Sequence, residues 1–458
     1  MIKKLLFSCL LAATAVPGTA QSLDATFGNG GTRIYNDLGS FYDAEVAADG
    51  KIILPGNYYA NDVSAMLVRF NTDGTLDTGF SGDGKYEINQ FSDPNYYEEF
   101  YNARVLPDGK LLVMYYYEFD NGTTDFSSSK LMRFNTNGTV DNTFNSPATT
   151  GGNYYESFEV LPNGKILAVG NNALHRLMPN GAIDTSYGTN GVRPLNFEFW
   201  QIYVTSQGIF FQDYVENRMV KMPNEDSSVF TYYDVNSSFN YKLKHGFLYL
   251  QVYDGQEKII KLDQNLQPVA SFGSAGVFTV PVGMYFELSE VQENGSILSV
   301  TRTYNPGTGN TAVDIVRINP NGTLDLTFGN QGTFTQNYDG EYWSYSFYHP
   351  TQKKLYVWNE IDNSMDVLVS RFNLPQEQLA VANSAAKTAV RVLQNPVSDI
   401  LKLSAKLDNA QVYSAAGGKT AVEFSGDQVS VANLRTGLYL VSGKDVHGNT
   451  VTLKFVKN

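Results

Sequence analysis

Four histidines are available for acid–base work or metal binding, His175, His245, His349 and His447, and they fall in separate stretches with no metal-ligand spacing. His175 stands before Arg176 in an apolar run and reads as a sheet-face residue; the other three read as turn or loop positions. The single cysteine, Cys9, sits in the N-terminal apolar run, so the rest of the chain has neither a thiolate nucleophile nor a disulfide framework. Nucleophile elbows, phosphate loops and zinc signatures are absent, so no metal, no cofactor and no enzymatic activity are expected. Acids are plentiful. Asn71-Thr72-Asp73-Gly74 with Asp77 has part of the spacing of a calcium loop. The same segment recurs as Asn135-Thr136-Asn137-Gly138 with Asp141 and as Asn319-Pro320-Asn321-Gly322 with Asp325, always between apolar stretches. Turn formation by Asn, Asp and Gly accounts for every copy. Two carboxyls need only converge to roughly 5 to 10 Å for glycosidic catalysis, so a polysaccharide hydrolase or lyase is the alternative to a binding protein.

A second candidate chemistry is carried by aromatic and acidic clusters. They occur as Phe41-Tyr42-Asp43, Tyr96-Tyr97-Glu98-Glu99-Phe100-Tyr101, Tyr154-Tyr155-Glu156, Phe197-Glu198-Phe199-Trp200, Tyr285-Phe286-Glu287 and Glu341-Tyr342-Trp343. If symmetry brings these loops to one face, flat rings there would stack on sugars or anchor a protein while acids accept hydrogen bonds. Tyr42, Tyr101, Tyr155, Trp200, Phe286 and Trp343 are the candidate ligand-binding residues. The competing reading is that the rings wedge between structural units as packing material.

The elements that would position these clusters are repeats. Leu76-Asp77-Thr78-Gly79-Phe80 returns as Val140-Asp141-Asn142-Thr143-Phe144, Ile183-Asp184-Thr185-Ser186-Tyr187, Leu324-Asp325-Leu326-Thr327-Phe328 and Leu23-Asp24-Ala25-Thr26-Phe27, with a weaker copy ending at Phe272. A basic residue followed by an apolar one precedes each unit's turn: Arg69-Phe70, Arg133-Phe134, Arg176-Leu177, Lys221-Met222, Lys261-Leu262, Arg317-Ile318 and Arg371-Phe372. Further upstream lie hairpin turns such as Asp49-Gly50, Asp108-Gly109 and Asn163-Gly164, whose residues supply the positive φ that tight turns need. These marks count to seven, at a period that suits four short antiparallel strands per unit. The last unit stops at Arg371-Phe372-Asn373 without its Leu-Asp-x-x-Phe half, and the first opens with that half. The fold class expected is therefore all-β: a seven-bladed β-propeller closed by its N-terminal strand, which removes open sheet edges.

These residues resemble the delta-60 repeat family of bacterial propeller-like proteins over about Leu23 to Leu374, which implies the propeller fold and transfers little activity. The stretch Tyr203 to Tyr253 departs most from the pattern. From Val390 a different module begins, with Gln394-Asn395-Pro396, Val412-Tyr413-Ser414 before Gly417-Gly418-Lys419, Thr436-Gly437-Leu438-Tyr439 and a tail ending in Lys457. Its short alternating strands predict a small immunoglobulin-like β-sandwich. It resembles the type A sorting domain of the type IX (Por) secretion system, which implies that secretion machinery as a partner.

The domain plan is a signal peptide at 1–20, the propeller at 21–374, a linker at 375–389 and the sorting domain at 390–458. Lys3 and Lys4, the apolar run Leu5 to Val16 and the small residues before Ala20 carry the first of these. Export through the periplasm to the surface or medium is the expected localisation. Without Lys3 and Lys4 the chain holds 31 bases against 46 acids, a formal charge of −15. That charge disfavours nucleic acid and anionic membranes as partners. A monomeric binding or adhesion scaffold for a glycan or protein is the leading expectation, with a purely architectural envelope protein as a further alternative.

Overall fold

The computed structural model describes residues 22–41, 43–59, 63–91, 93–149, 154–340, 342–361, 366–374, 390, 392–393, 396–414, 418–444 and 450–458, with only the backbone of Tyr342, Trp343 and Thr450. The expected leader at 1–20, the linker at 375–389, Tyr42 and His447 lie outside the described residues. The chain divides into two compact units, residues 1–375 and 376–458.

In the first unit the described residues form strands and no helix, gathered into seven small antiparallel sheets. Their strands come from residues 40–88, 96–134, 157–194, 202–234, 239–279, 290–339, and 342–373 together with 22–35; these are sheets 1 to 7 below. Each runs as a meander from a first strand outward, with Gly50, Gly109 and Gly164 at φ 82°, 80° and 80° turning the first hairpins of sheets 1 to 3. The middle strands are buried on both faces, as in Ile166–Gly170, where all five residues are buried. That is why they read as continuous apolar runs and not as alternating ones.

Burial on both faces requires a neighbour on each side, and the apolar clusters show which. Ile53 and Leu67 of sheet 1 pack with Phe100 and Val113 of sheet 2, and Leu112 of sheet 2 with Phe158 and Ile166 of sheet 3. Leu167 of sheet 3 packs with Ile209 of sheet 4, and Phe210 of sheet 4 with Leu248 of sheet 5. Tyr249 of sheet 5 packs with Ile297 of sheet 6, and Val313 of sheet 6 with Leu355 of sheet 7. Phe347 and Trp358 of sheet 7 then pack with Ile52 and Met66 of sheet 1, so the series returns to its start.

Sheet 7 also takes its outer strands from the opposite end of the sequence. Ser22–Leu23 and Thr32–Tyr35 both pair antiparallel with Val367–Asn373, in the registers Leu23↔Phe372 and Tyr35↔Val367. The half-motif at Leu23 thus completes the unit that ends at Phe372, as its sequence implies. In the divergent stretch, the break between sheets 4 and 5 falls between Asp234 and Phe239.

In the second unit, Ile400–Lys402, Gln428–Ser430 and Glu423–Ser425 form one sheet, and Lys419–Thr420, Asp408–Ser414, Gly437–Lys444 and Thr450–Lys457 another. They share a single core in which Leu401 and Val429 meet Val412, Val441 and Phe455. Alternation sorts the faces: Tyr439 and Val441 are buried while Leu438 and Leu440, which alternate with them, are exposed.

Candidate functional site

The repeat aspartates take up a structural task. Asp77 accepts Arg69 Nε at 2.7 Å and Lys51 Nζ at 3.0 Å; Asp141 accepts Arg133 Nε at 2.8 Å and Lys110 Nζ at 2.7 Å. Asp184 does the same with Arg176 and Lys165, Asp24 forms ion pairs with Arg371 and Lys354, each at 3.0 Å, and Asp325 accepts Arg317 Nε at 2.8 Å. The other carboxylate oxygen caps the following turn, as in Thr143 Oγ1 to Asp141 at 2.6 Å. Each arginine lies over the motif's aromatic ring, Arg176 at 4.3 Å from the centroid of Tyr187, and three of them donate to a carbonyl of the next sheet. Arg69 donates to Thr136 O at 2.6 Å, Arg133 to Pro179 O at 2.9 Å and Arg371 to Thr72 O at 3.2 Å. Hydrogen bonds from Lys165, Ser186 and Arg176 hold the Asp184 carboxyl well below the usual carboxylate range. At Asp24 burial pushes upward, but Thr26, Lys354 and Arg371 outweigh it and leave the carboxyl at about 2. At this end of the sheets the repeat carboxylates are occupied by protein cations, and Asp73 in the Asn-Thr-Asp-Gly turn accepts Thr75 N at 2.8 Å and Thr75 Oγ1 at 2.7 Å, the turn-forming role its sequence predicts.

The first strands of the sheets face a common axis. Arg104 of sheet 2 pairs with Glu159 of sheet 3 at 2.9 Å, and Glu45 of sheet 1 accepts Val105 N of sheet 2 at 3.2 Å. Asp43 of sheet 1 feels Arg104 and also Lys242 and Lys244 of sheet 5; Glu290 of sheet 6 feels the same lysines and Asp43. Such cross-talk among non-adjacent sheets requires that their first strands converge. Burial raises the carboxyls of Asp43, Glu45 and Glu290 despite these cations.

Because the sheets are antiparallel meanders, the loops entering each first strand share an end with the hairpins between second and third strands. The six residues singled out from sequence meet different fates there. Trp200 is 57% exposed and stacks on Tyr214, ring centroids 4.2 Å apart at 27°. Tyr101 is half-buried and its hydroxyl donates to the carbonyl of Tyr155, binding sheet 2 to sheet 3. Tyr155 and Phe286 are corrections to the exposed-ring expectation, being 4% and 5% exposed. The reason is alternation along extended backbone: Tyr154 points out and Tyr155 in, against His175 at 5.2 Å, while Tyr285 points out and Phe286 in. Tyr42 is outside the described residues; Trp343 lies on the strand Tyr342–His349, with its side chain outside them.

Sequence reasoning passed over Tyr214, Tyr253 and Tyr285. The last two are 66% and 78% exposed, and the period-two alternation could have pointed to Tyr285 over Phe286. His349 is a further correction: it is fully buried, its Nε2 donating to Gly50 O at 2.9 Å while Nδ1 accepts Gln352 N, so it ties sheet 7 to sheet 1. Glu156 Oε2 is buried without a partner, and burial alone raises that carboxyl to about 7. A cavity of about 280 Å³ opens at this end beside Lys242, Gln251, Glu287, Ser289 and Tyr345.

A family model described as a domain of unknown function (DUF5122) beta-propeller matches residues 47–80, 106–144, 161–187 and 292–328. Each matched stretch runs from a first hairpin turn to the aromatic ring under the arginine, so what the model captures is the Asp–Arg turn. No curated protein matches. Among solved structures, Kluyveromyces lactis Hsv2 is 10% identical, covering 79% of this chain and 98% of its own, at a TM-score of 0.35. Chaetomium thermophilum Sqt1 is 11% identical, covering 73% and 98%, also at 0.35. Likenesses this distant carry no function across. On the matched repeats and the small antiparallel sheets that house them, this chain is a repeat protein of the β-propeller type.

Proposed function

We propose that the chain is a seven-bladed propeller with an appended immunoglobulin-like sorting module, exported to the cell surface or medium, where it binds a glycan or protein through one end of the propeller. The cyclic series of apolar clusters supports the blade count, and the resemblance of residues 390–458 to type IX sorting domains supports the route. One observation carries the binding reading. The two ends differ in kind: at one the repeat carboxylates are bound by arginine and lysine, while at the other Trp200, Tyr253 and Tyr285 are exposed beside acids. Large exposed rings on an otherwise rigid scaffold mark interaction surfaces. Glycan-array and pull-down assays on the full chain test it: a retained ligand lost on Trp200→Ala supports the reading, and full retention in Trp200→Ala and Tyr285→Ala removes it. Fractionating cells that express the chain with and without residues 390–458 tests export, since loss of the module should strand the protein in the periplasm.

A second reading, a polysaccharide-active enzyme, is favoured by the axial carboxyls Asp43, Glu45 and Glu290, whose raised proton affinity suits acid catalysis. Turnover of any member of a polysaccharide panel, abolished by Asp43→Asn or Glu290→Gln, would select it over the first.

A further inference from the structure

Residues 22–374 hold 40 of the chain's 46 acids but only 22 of its 33 bases. Nine of those cations, the five strand arginines and four turn lysines described above, are engaged by repeat aspartates at the hairpin-turn end. The excess of negative charge therefore gathers elsewhere. At the opposite end Arg218 and Lys258 are each neutralised within their own hairpin, by Asp213 at 2.9 Å and Asp254 at 2.6 Å. Glu198, Glu216 and Glu287 in the same loops have no cation within 4.0 Å among the described residues. The exposed rings collect there too: Trp200, Tyr253 and Tyr285 stand with Tyr154 and Phe126, and Val282 is 93% exposed.

We propose that this loop end docks a lysine- and arginine-rich segment of a partner protein, holding its cationic side chains between exposed aromatic rings and the exposed carboxylates of Glu198, Glu216 and Glu287. The proposal rests on the binding-scaffold reading and names the chemistry of its partner. Ring faces attract ammonium and guanidinium groups, and the Trp200–Tyr214 stack presents an extended π surface. Within the propeller the same pairing recurs wherever a repeat arginine lies over its motif ring, and at the loop end Arg218 lies 4.4 Å from the centroid of Tyr232. The loop acids supply long-range attraction that a neutral sugar would not use and that would repel an anionic one. Because these acids are spread over loops of different sheets, they suit an extended segment better than a point charge.

Fluorescence anisotropy of labelled deca-arginine with the full chain tests this, with deca-glutamate and a neutral cello-oligosaccharide as counter-probes. Binding of deca-arginine alone is expected, weakening at least about tenfold between low salt and roughly 0.3 M salt. Trp200→Ala with Tyr285→Ala should weaken it by about tenfold, and Glu216→Lys with Glu287→Lys by at least as much. Asp83→Lys with Asp108→Lys, charge reversals of exposed residues at the other end, should change it less than about twofold. Equal losses from the two reversal pairs, or indifference to the aromatic pair, would overturn the proposal as mere attraction of opposite charge. Capture of the neutral oligosaccharide at Trp200 without deca-arginine binding would overturn the cationic partner and leave the binding-scaffold reading standing.

Discussion

Replacing Asp141 by alanine removes four hydrogen bonds at once, those from Lys110 Nζ, Arg133 Nε, Thr143 N and Thr143 Oγ1. Breaking one side of a buried ion pair costs about 3–5 kcal/mol, and loss of a turn cap about 1 kcal/mol. The lower end applies to the pair, because Lys110 can swing to solvent and Arg133 keeps Pro179 O at 2.9 Å and the Phe144 ring at 4.9 Å. The sum is about 4 kcal/mol. A cooperative unit of about 350 residues gains roughly 0.7 kcal/mol per degree of unfolding entropy, so the Tm should fall by about 5 °C. Calorimetry or thermal melting followed by tryptophan fluorescence reads this directly. The pH dependence has a definite sign. Hydrogen bonds, first from Lys110 and then from Thr143 and Arg133, lower the Asp141 carboxyl from its ordinary 3.8. Its contribution is therefore complete above that value and disappears as pH falls through the folded-state value. Wild type and Asp141→Ala should differ equally at pH 8 and pH 5 and converge in strong acid. A Tm shift under about 1 °C at neutral pH, or the same shift from Asp108→Ala in an exposed turn, would refute the tie between repeat motif and stability.

Other substitutions probe the same framework. Gly138 has φ 83°, and a Cβ there would meet Ser81 N at 2.7 Å and the Phe80 ring at 2.9 Å, whereas Gly122 at φ 78° faces open space. Gly138→Ala should destabilise by about 3 kcal/mol or more in denaturant melts, and Gly122→Ala by only about 1 kcal/mol for its backbone conformation. Glu156 has the opposite linkage to Asp141: burial raises it to about 7, so the folded state binds the extra proton between its ordinary 4.5 and that value. Its contribution to stability falls as pH rises through this window, and Glu156→Gln should raise the Tm at pH 8 while leaving it nearly unchanged at pH 4.

Much of this architecture was legible because it repeats. The Leu-Asp-x-x-Phe element could be aligned on itself, and its misplaced copy at Leu23 pointed to the pairing with Phe372. What the aspartate does was not legible, since its partners Arg133 and Lys110 come from other strands and its role appears only when three segments meet. Sheet 5 shows how the motif decays: Val269 stands where the aspartate should, yet Val269 N still donates to Lys261 O at 2.9 Å, so the turn outlives the side chain that marked it. The aromatic clusters were legible as a group and ambiguous as individuals. In Tyr285-Phe286 one ring faces solvent and the other the core, and which is which depends on a one-residue phase. The axial charges were invisible for a different reason: Asp43 and Lys242 are about two hundred positions apart, and the lysine's charge acts on Asp43 only because their strands lie near one another in the fold.

Closure of the propeller is the claim on which both ends and the axis depend, and a cross-link across the closing pair tests it most directly. Ser22 and Asn373 are register partners, and paired strands bring Cα atoms to about 5 Å, within disulfide reach. In a Cys9→Ser background, Ser22→Cys with Asn373→Cys should oxidise to a single intramolecular disulfide joining the peptides that carry residues 22 and 373 in mass spectra. Thiols that stay free, or that join only between molecules, would mean that the sheets form an open array.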